Sequence, residues 1–274
     1  LRFDQHLHSK HSFDCETEPE QNVLRAMDLN LAGLTFTEHF DTHPDEWPTC
    51  RYDDARYSQD IARLRETYGH RLFIGKGIEV CYQPQRMDFI LDHLDKHEFD
   101  LVMLSVHWVG GRTFHHREDW DGLDPATGTR LYFQGVLDAA RCALRLREQR
   151  GRVFDVLGHL DLVRRYTHRF FDYYHAEDSM DIVEEIFRTC LAADLIPEVN
   201  TSTVRVGAGW SMPDALVVAR YAALGGRAMC LGSDAHRADH ISADFDYAVD
   251  MLQANGITYQ AVFRQRHPLE LEVR

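Results

Sequence analysis

The sequence predicts an α/β barrel, with parallel strands inside and helices outside. Two observations carry this. Short runs that are apolar throughout are each followed by a segment of helical periodicity, the mark of a parallel sheet covered on its outer face. Seven such strand–helix units and a terminal strand can be counted along the chain, which suits a barrel better than an open sheet.

The elements follow in order. Strand one ends at His6 and His8. Residues 19–33 have helical spacing, with Thr17 and Glu20 set as a capping box, Pro19 in the first turn and Gly33 as the stop. LTFT (34–37) is a short strand that runs into Glu38-His39, and 53–69 is the next helix. A strand over 71–80, a helix over 85–97 and a buried strand over 99–107 come next. The long helix 129–150 leads into strand 153–159, helix 180–195 into strand 196–202, and helix 213–225 into strand 227–236. Helix 243–256 and strand 257–264 complete the pattern. No Pro- or Ser-rich linker interrupts it, so one domain over 1–274 is expected. The longest irregular stretches, 40–52 and 108–128, read as insertions over one barrel mouth, where long loops are usually functional.

Composition narrows the partners. Thirty Lys and Arg against 44 Asp and Glu give a formal charge of −14. This argues against a nucleic-acid footprint and against an anionic membrane surface. A phosphorylated small molecule stays compatible, because bound cations reverse the potential locally. The six cysteines are scattered with no CxxC pair, which disfavours finger-type zinc and a disulfide framework and suits a reducing cytoplasm. No apolar run is long enough to span a membrane and no signal-peptide pattern opens the sequence. It begins with Leu, which is compatible with a missing N-terminal segment.

The histidines and carboxylates carry the function. His6 and His8 close strand one, Glu38-His39 strand two, Glu79 strand three, His107 strand four and His159 strand five. Glu198 and Asn200 lie in strand six, and Asp234 and His236 follow strand seven. In a barrel these positions share the C-terminal face, where active sites are built. One histidine at a strand end is more often a satisfied core residue than a ligand. HxH is stronger, because period two turns both imidazoles to one side. Polar groups at every strand end are hard to explain by packing, since buried carboxylates repel one another without cations. A divalent metal cluster resolves this. His nitrogen and carboxylate oxygen suit Zn, Mn or Fe, and the donors are enough for two or three ions.

The motifs HLHSKHSFD, FTEHFD, GIEV, SVHW, GHLDLVRRY, EVNTS and GSDAH occur in the order of the polymerase-and-histidinol-phosphatase (PHP) superfamily. The chain resembles that superfamily over nearly its whole length, and looks closest to its bacterial histidinol-phosphate phosphatase branch. The resemblance implies a distorted (β/α)7 TIM-like barrel with the metal site at the C-terminal face of the strands. It implies one ion on His6, His8, Glu79 and Asp234, a second on Glu79, His107 and His159, and a third on Asp14, His39 and His236. Glu79, Asp234 and His236 are then the residues expected at the reacting centre. Asp14 stands where many relatives have histidine, and His11 lies close enough to compete for the third ion. The implied reaction is metal-assisted phosphomonoester hydrolysis, most specifically of L-histidinol phosphate in histidine biosynthesis.

Guanidinium forks match phosphate oxygens, so Arg164, Arg165 and Arg205 are the expected substrate-binding residues. One of Arg164 and Arg165 is equally well read as a surface salt bridge. Thr203 stands where the family often has Gly, which bears on the shape of the Arg205 loop. Glu198 either binds the substrate's amine or supports Arg165. His43, His115 and His116 read as solvated or rim residues, Trp108 as pocket wall or core, and His93 with His97 as surface histidines rather than a zinc pair. Competing functions are another phosphoesterase of the superfamily, acting on a nucleotide or sugar phosphate, and an amidohydrolase-like deaminase. Glu79 at the third strand, where a deaminase would offer a bridging lysine, counts against the latter. A non-catalytic metal barrel would not need the arginines. A small phosphorylated substrate, no nucleic acid, no membrane and a monomer or homodimer complete the expectation.

Overall fold

The computed structural model describes residues 2–50, 52–173 and 175–273. Its strands are β1 (Phe3–Leu7), β2 (Gly33–Phe40), β3 (Phe73–Cys81), β4 (Leu101–Ser105), β5 (Val156–Leu157), β6 (Ile196–Asn200), β7 (Ala228–Gly232), β8 (Tyr259–Arg264) and β9 (His267–Glu272). Between them lie α1 (Pro19–Asp28), α2 (Asp54–Tyr68), α3 (Met87–Lys96), α4 (Pro125–Arg150), α5 (Val163–Phe171), α6 (Met180–Ala193), α7 (Ser202–Arg205), α8 (Ala215–Ala223) and α9 (Phe245–Ala254). No described helix is long and apolar enough to cross a membrane.

The strands lie side by side in chain order, β1 to β8 parallel and β9 antiparallel on β8. The carboxyl ends of β1 to β7 therefore all open on one face. No regular ladder closes the sheet among the described residues. Instead, β1 meets the segment after β7 through one parallel bridge, Leu7 to Ala235. Asp234 N donates to His6 O at 2.8 Å and His8 N to Ala235 O at 2.9 Å. At the other end of β1 side chains span the gap: Gln260 Nε2 donates to Phe3 O at 2.7 Å, and Gln5 Oε1 accepts from Phe263 N at 3.0 Å. The distortion places His6, His8 and Asp234 together.

Alternation along the strands sorts the core. Leu101, Met103, Val156, Cys230, Ala261 and Phe263 pack on one face, while Val102, Leu104, Leu157, Val199 and Leu231 pack with α4 and α6 on the other. Burying each of the Val, Leu, Met and Phe side chains among these contributes roughly 1.5–3 kcal/mol before entropy is counted.

Several boundaries differ from expectation for local reasons. The cap of α1 is Glu18, whose N–H donates to Gln21 Oε1 at 3.3 Å. Thr17 is occupied elsewhere, with its hydroxyl on His236 O at 3.0 Å. Gly33 does not stop α1 but starts β2, between Phe3 and Phe73, where a Cβ would lie 2.6 Å from the Phe3 ring. Helix α4 starts four residues earlier than read, because Asp124 caps it by accepting from Thr127 N at 2.9 Å. Neither α5 nor β9 was expected. The polar run VRRYTHRFF hides the first, and the exposed, Pro-containing HPLELE hides the second.

Candidate metal centre and substrate cavity

The cluster is built on Glu79, which is fully buried near the end of β3. Its Oε2 lies 3.6 Å from His6 Nε2, 3.7 Å from His8 Nε2 and 2.9 Å from His39 Nδ1. Its Oε1 lies 2.8 Å from His159 Nε2 and 3.3 Å from His107 Nε2. Asp234 Oδ1 sits 3.8 Å from His6 Nε2, 3.5 Å from His8 Nε2 and 3.5 Å from His236 Nδ1. Asp14 Oδ2 is 3.1 Å from His236 Nε2 and 3.5 Å from His39 Nε2. The nine residues expected as ligands thus come together from β1, β2, β3, the segments after β4, β5 and β7, and the loop after β1.

Several buried atoms at the centre are unsatisfied. His6 Nε2, His8 Nε2, His39 Nδ1 and Glu79 Oε2 make no hydrogen bond of good geometry, although the last two approach to 2.9 Å. A buried polar atom without a partner costs about 1–3 kcal/mol, so several aimed at one point call for a ligand that takes lone pairs. Groupings such as His6–His8–Asp234, His6–Glu79–His159 and His39–Glu79–His107 each bring donor atoms within 4.8 Å of one another, the spacing an ion can bridge.

The outer nitrogens explain why these imidazoles face inward. His6 Nδ1 donates to Glu198 Oε1 at 2.6 Å, leaving the Nε2 lone pair for the centre. His107 Nδ1 does the same to Asp41 Oδ1 at 3.0 Å. His8 Nδ1 donates to Ser12 Oγ at 3.0 Å, and Ser12 donates onward to Glu38 Oε2 at 2.6 Å. Ser9 Oγ donates to Glu38 Oε1 at 2.5 Å, so Glu38, buried on β2, fixes the loop that carries His8. Burial, reinforced by His39 and His236, pushes His8 down to about 3, a neutral ring with an open lone pair. Burial would push Glu79 up, but His39, His6 and His107 hold it well below the usual carboxylate range. Asp234 behaves alike, burial being outweighed chiefly by His6.

Backbone geometry supports the arrangement. Asp234 takes φ 52°, a left-handed conformation that costs a non-glycine residue roughly 1–2 kcal/mol. Gly232 at the end of β7 leaves the room beneath it: a Cβ there would lie 2.1 Å from Glu198 Oε1 and 2.4 Å from His6 Cβ.

The open side of the cluster faces a cavity of about 390 Å³, whose lining includes Asp14, His39, His107, Glu46, His115, His116 and Tyr166. A second cavity of about 520 Å³ is lined by Arg165, His168, Arg169, Arg205 and Trp210. The two share Arg165, Asp234 and His236, so they are two arms meeting at the cluster. Arg165 bonds Ser202 Oγ and stands 3.8 Å from Asp234 Oδ2. Arg205 donates to Ser233 O at 3.0 Å and Asp234 O at 3.4 Å.

Two expectations are corrected. Arg164 is not at the cavity, nor in a surface salt bridge; it is 2% exposed and donates to Asp161 Oδ2 at 2.9 Å, with Asp214 at 3.7 Å. Burial pushes Asp161 up to about 6 against the pull of Arg164. Glu198 lines neither cavity and makes no direct bond to Arg165, to which it is linked only through Asn200 and Ser202. It lies at 0% exposure, with Oε1 on His6 and Oε2 accepting from His159 N at 2.7 Å.

Other histidines separate as well. His11 turns away from the cluster, with Nε2 3.1 Å from Asp60 Oδ2 and its ring 5.3 Å from Tyr57. His115 is not solvated: its ring packs on Tyr166 at 4.8 Å and its Nε2 is buried without a partner. His93 packs on Phe40 at 4.3 Å and His97 pairs with Asp54 at 2.9 Å, so neither is a free surface histidine. Sequence reasoning missed Asp41, Glu38's supporting role, Ser12 and Glu46. In FTEHFD, period two puts Asp41 beside His39, which was the available signal for Asp41.

A parallel barrel with a histidine–carboxylate centre on the carboxyl ends of its strands is the class defined so far. The PHP domain model matches residues 4–202, and the chain belongs to that family. Among curated proteins it is 28% identical over 268 residues to a probable histidinol-phosphatase of Deinococcus radiodurans, covering 92% of this chain and 93% of the relative. It is 26% identical over 256 residues to a probable histidinol-phosphatase of Clostridium acetobutylicum, covering 92% of each. Among solved structures it superposes on the histidinol phosphate phosphatase of Lactococcus lactis, complexed with zinc, L-histidinol and phosphate. The TM-score is 0.87 at 24% identity, covering 98% of both chains. At that identity the likeness establishes the fold.

Proposed function

We propose that this chain is a metal-dependent phosphomonoesterase that hydrolyses L-histidinol phosphate to L-histidinol and phosphate, in histidine biosynthesis. The observation that carries the reading is the convergence of buried atoms without a well-formed hydrogen bond on His6, His8, His39 and Glu79, beside Arg165 and Arg205. The names of the curated relatives and the ligands in the Lactococcus structure's description support the substrate. The domain would span 1–274. The six unpaired cysteines suit work in the cytoplasm, and a monomer or homodimer is the assembly we favour.

The donor set is nitrogen and carboxylate oxygen, which fits Zn, Mn or Fe, and two or three ions are the proposed complement. His6, His8, Glu79 and Asp234 would hold one. Glu79, His107 and His159 would hold a second, and Asp14, His39 and His236 a third. Such ions supply Lewis-acid polarisation of the phosphoryl oxygens and a water acidic enough to attack at neutral pH. The protein's own contribution is positioning. Arg165 and Arg205 meet the phosphate charge at the junction of the two arms, while Glu198, Asp41 and Ser12 hold the imidazoles in the tautomer that faces inward.

The test is phosphate release from a panel of L-histidinol phosphate, nucleotides and sugar phosphates, with metal content measured on the same preparation. Preferred turnover of L-histidinol phosphate is expected. Equal or better turnover of a nucleotide or sugar phosphate would overturn the substrate, and activity that survives complete metal removal would overturn the mechanism.

A further inference from the structure

Glu198 is buried beneath His6, so the amine of an aminoalkyl phosphate calls for a carboxylate elsewhere. Of the carboxylates lining the metal-side arm, Asp14, Asp41, Glu79 and Asp234 are all engaged with cluster histidines, and the remaining one is Glu46. Glu46 belongs to the loop between β2 and α2 and is half-buried in the cavity wall. Trp108 Nε1 donates to its Oε2 at 2.6 Å. The indole is itself clamped, stacked on His43 at 3.6 Å between ring centres and 7° between planes. One oxygen of Glu46 is therefore held in place, while Oε1 has no hydrogen bond among the described residues.

The other arm is basic, since Arg169 and Arg205 line it in addition to the shared Arg165. A phosphate gripped between Arg165 and Arg205 leaves its ester chain a choice between the two arms. A cationic chain entering the metal-side arm avoids Arg169 and Arg205 and, beyond the cluster, meets a carboxylate that no cluster histidine engages. We propose that Glu46 Oε1 binds the ammonium group of the substrate and makes the enzyme selective for aminoalkyl phosphates. The chain's far end then meets His115, whose buried, unpartnered Nε2 offers one hydrogen bond to a polar ring. This inference rests on the phosphomonoesterase reading above and gives the ester chain a direction.

The experiment compares L-histidinol phosphate with its des-amino analogue, imidazolylpropyl phosphate, on wild-type protein, Glu46→Gln and Trp108→Phe, all with matched metal content. Loss of a charge-assisted hydrogen bond is expected to raise KM for L-histidinol phosphate by about 10- to 100-fold in Glu46→Gln. The des-amino ester should be unaffected, and Trp108→Phe should show the same selectivity in weaker form. Equal losses on both esters, or no loss on either, would overturn the assignment of Glu46 while the wild-type activity stands. A wild-type protein inert toward L-histidinol phosphate would overturn the parent reading, and the ammonium assignment with it.

Discussion

His6 Nδ1 and Glu198 Oε1 lie 2.6 Å apart with both side chains fully buried, and this contact decides which way the His6 ring faces. Glu198→Gln keeps the shape but removes the charge that fixes the tautomer. Metal affinity should fall about 10- to 100-fold, read as metal retained after dialysis against a graded chelator. Reconstituted at saturating metal, the variant should keep the wild-type KM. A raised KM at full metal would show that Glu198 touches substrate after all.

Gly232 belongs to the same construction. In Gly232→Ala the new methyl must displace either the Glu198 carboxylate or the His6 side chain, at 2.1 and 2.4 Å. Neither can yield without breaking their mutual contact, so a stability loss of about 1–3 kcal/mol with reduced metal occupancy is expected. Thermal unfolding with metal analysis measures both. An unchanged melting temperature at full occupancy would mean that the end of β7 relaxes freely.

The arginines separate binding from folding. Arg165→Ala and Arg205→Ala should each raise KM roughly tenfold or more with metal content intact, since Arg165 stands where the two arms meet and Arg205 lines the larger arm beside it. Arg164→Ala should behave oppositely, because it strands buried Asp161 beside Asp214. A destabilisation of about 3–5 kcal/mol is expected, with near-normal KM in the folded fraction. Loss of metal in Arg205→Ala would show instead that its bonds to the Ser233 and Asp234 carbonyls are structural.

The adjacent pair Arg164-Arg165 also shows where sequence reading stops. Strand ends were legible, because apolar runs ending in His, Glu or Asp specify both a parallel strand and the face its polar terminus occupies. The expected ligands at strand ends converge for that reason, while Asp14, in the loop after β1, was indicated only by the family resemblance. The roles of Glu198 and Arg164 were not legible, since whether a charge faces the cavity or the core depends on helix rotation and on partners distant in sequence, such as Asp214. His115 and Glu46 lie in loops without periodicity, where nothing in the local pattern says which side chains fold back over the mouth. Asp124-Pro125, a capping residue before a first-turn proline, is the local signal for the early start of α4. The strand read over 153–159 shortens to Val156–Leu157 in β5, although Val153 and Phe154 before it are also apolar.

His93 predicts a pH effect on stability. Burial, with His97 close by, lowers it to about 4 from the ordinary 6.5. The folded ring stays neutral where the unfolded chain has already taken up a proton. Its contribution is therefore complete above 6.5 and is lost as pH falls from 6.5 toward about 4. After allowance for partial exposure this amounts to ~2 kcal/mol. Urea midpoints of metal-loaded wild type and His93→Phe, compared at about pH 7 and about pH 5, should show a smaller acid loss in the variant. Parallel losses would place the titrating group elsewhere.

Asp14 and His11 compete for one role in the sequence, and the structure turns them in opposite directions. Asp14 Oδ2 approaches both His236 and His39, at 3.1 and 3.5 Å, and those two imidazoles overcome burial to hold it far below the usual carboxylate range. His11 is engaged with Asp60, where Lys10 Nζ also reaches to 3.5 Å. If Asp14 completes the outermost metal position, Asp14→Asn lowers metal stoichiometry by one ion and depresses kcat more than KM. His11→Asn disturbs a half-buried hydrogen bond to Asp60 outside the centre, so it should cost ~1 kcal/mol of stability and leave stoichiometry unchanged. The two variants, measured side by side for bound metal and for phosphate release, distinguish a ligand from its neighbour. Loss of an ion in His11→Asn with full occupancy in Asp14→Asn would reverse the assignment.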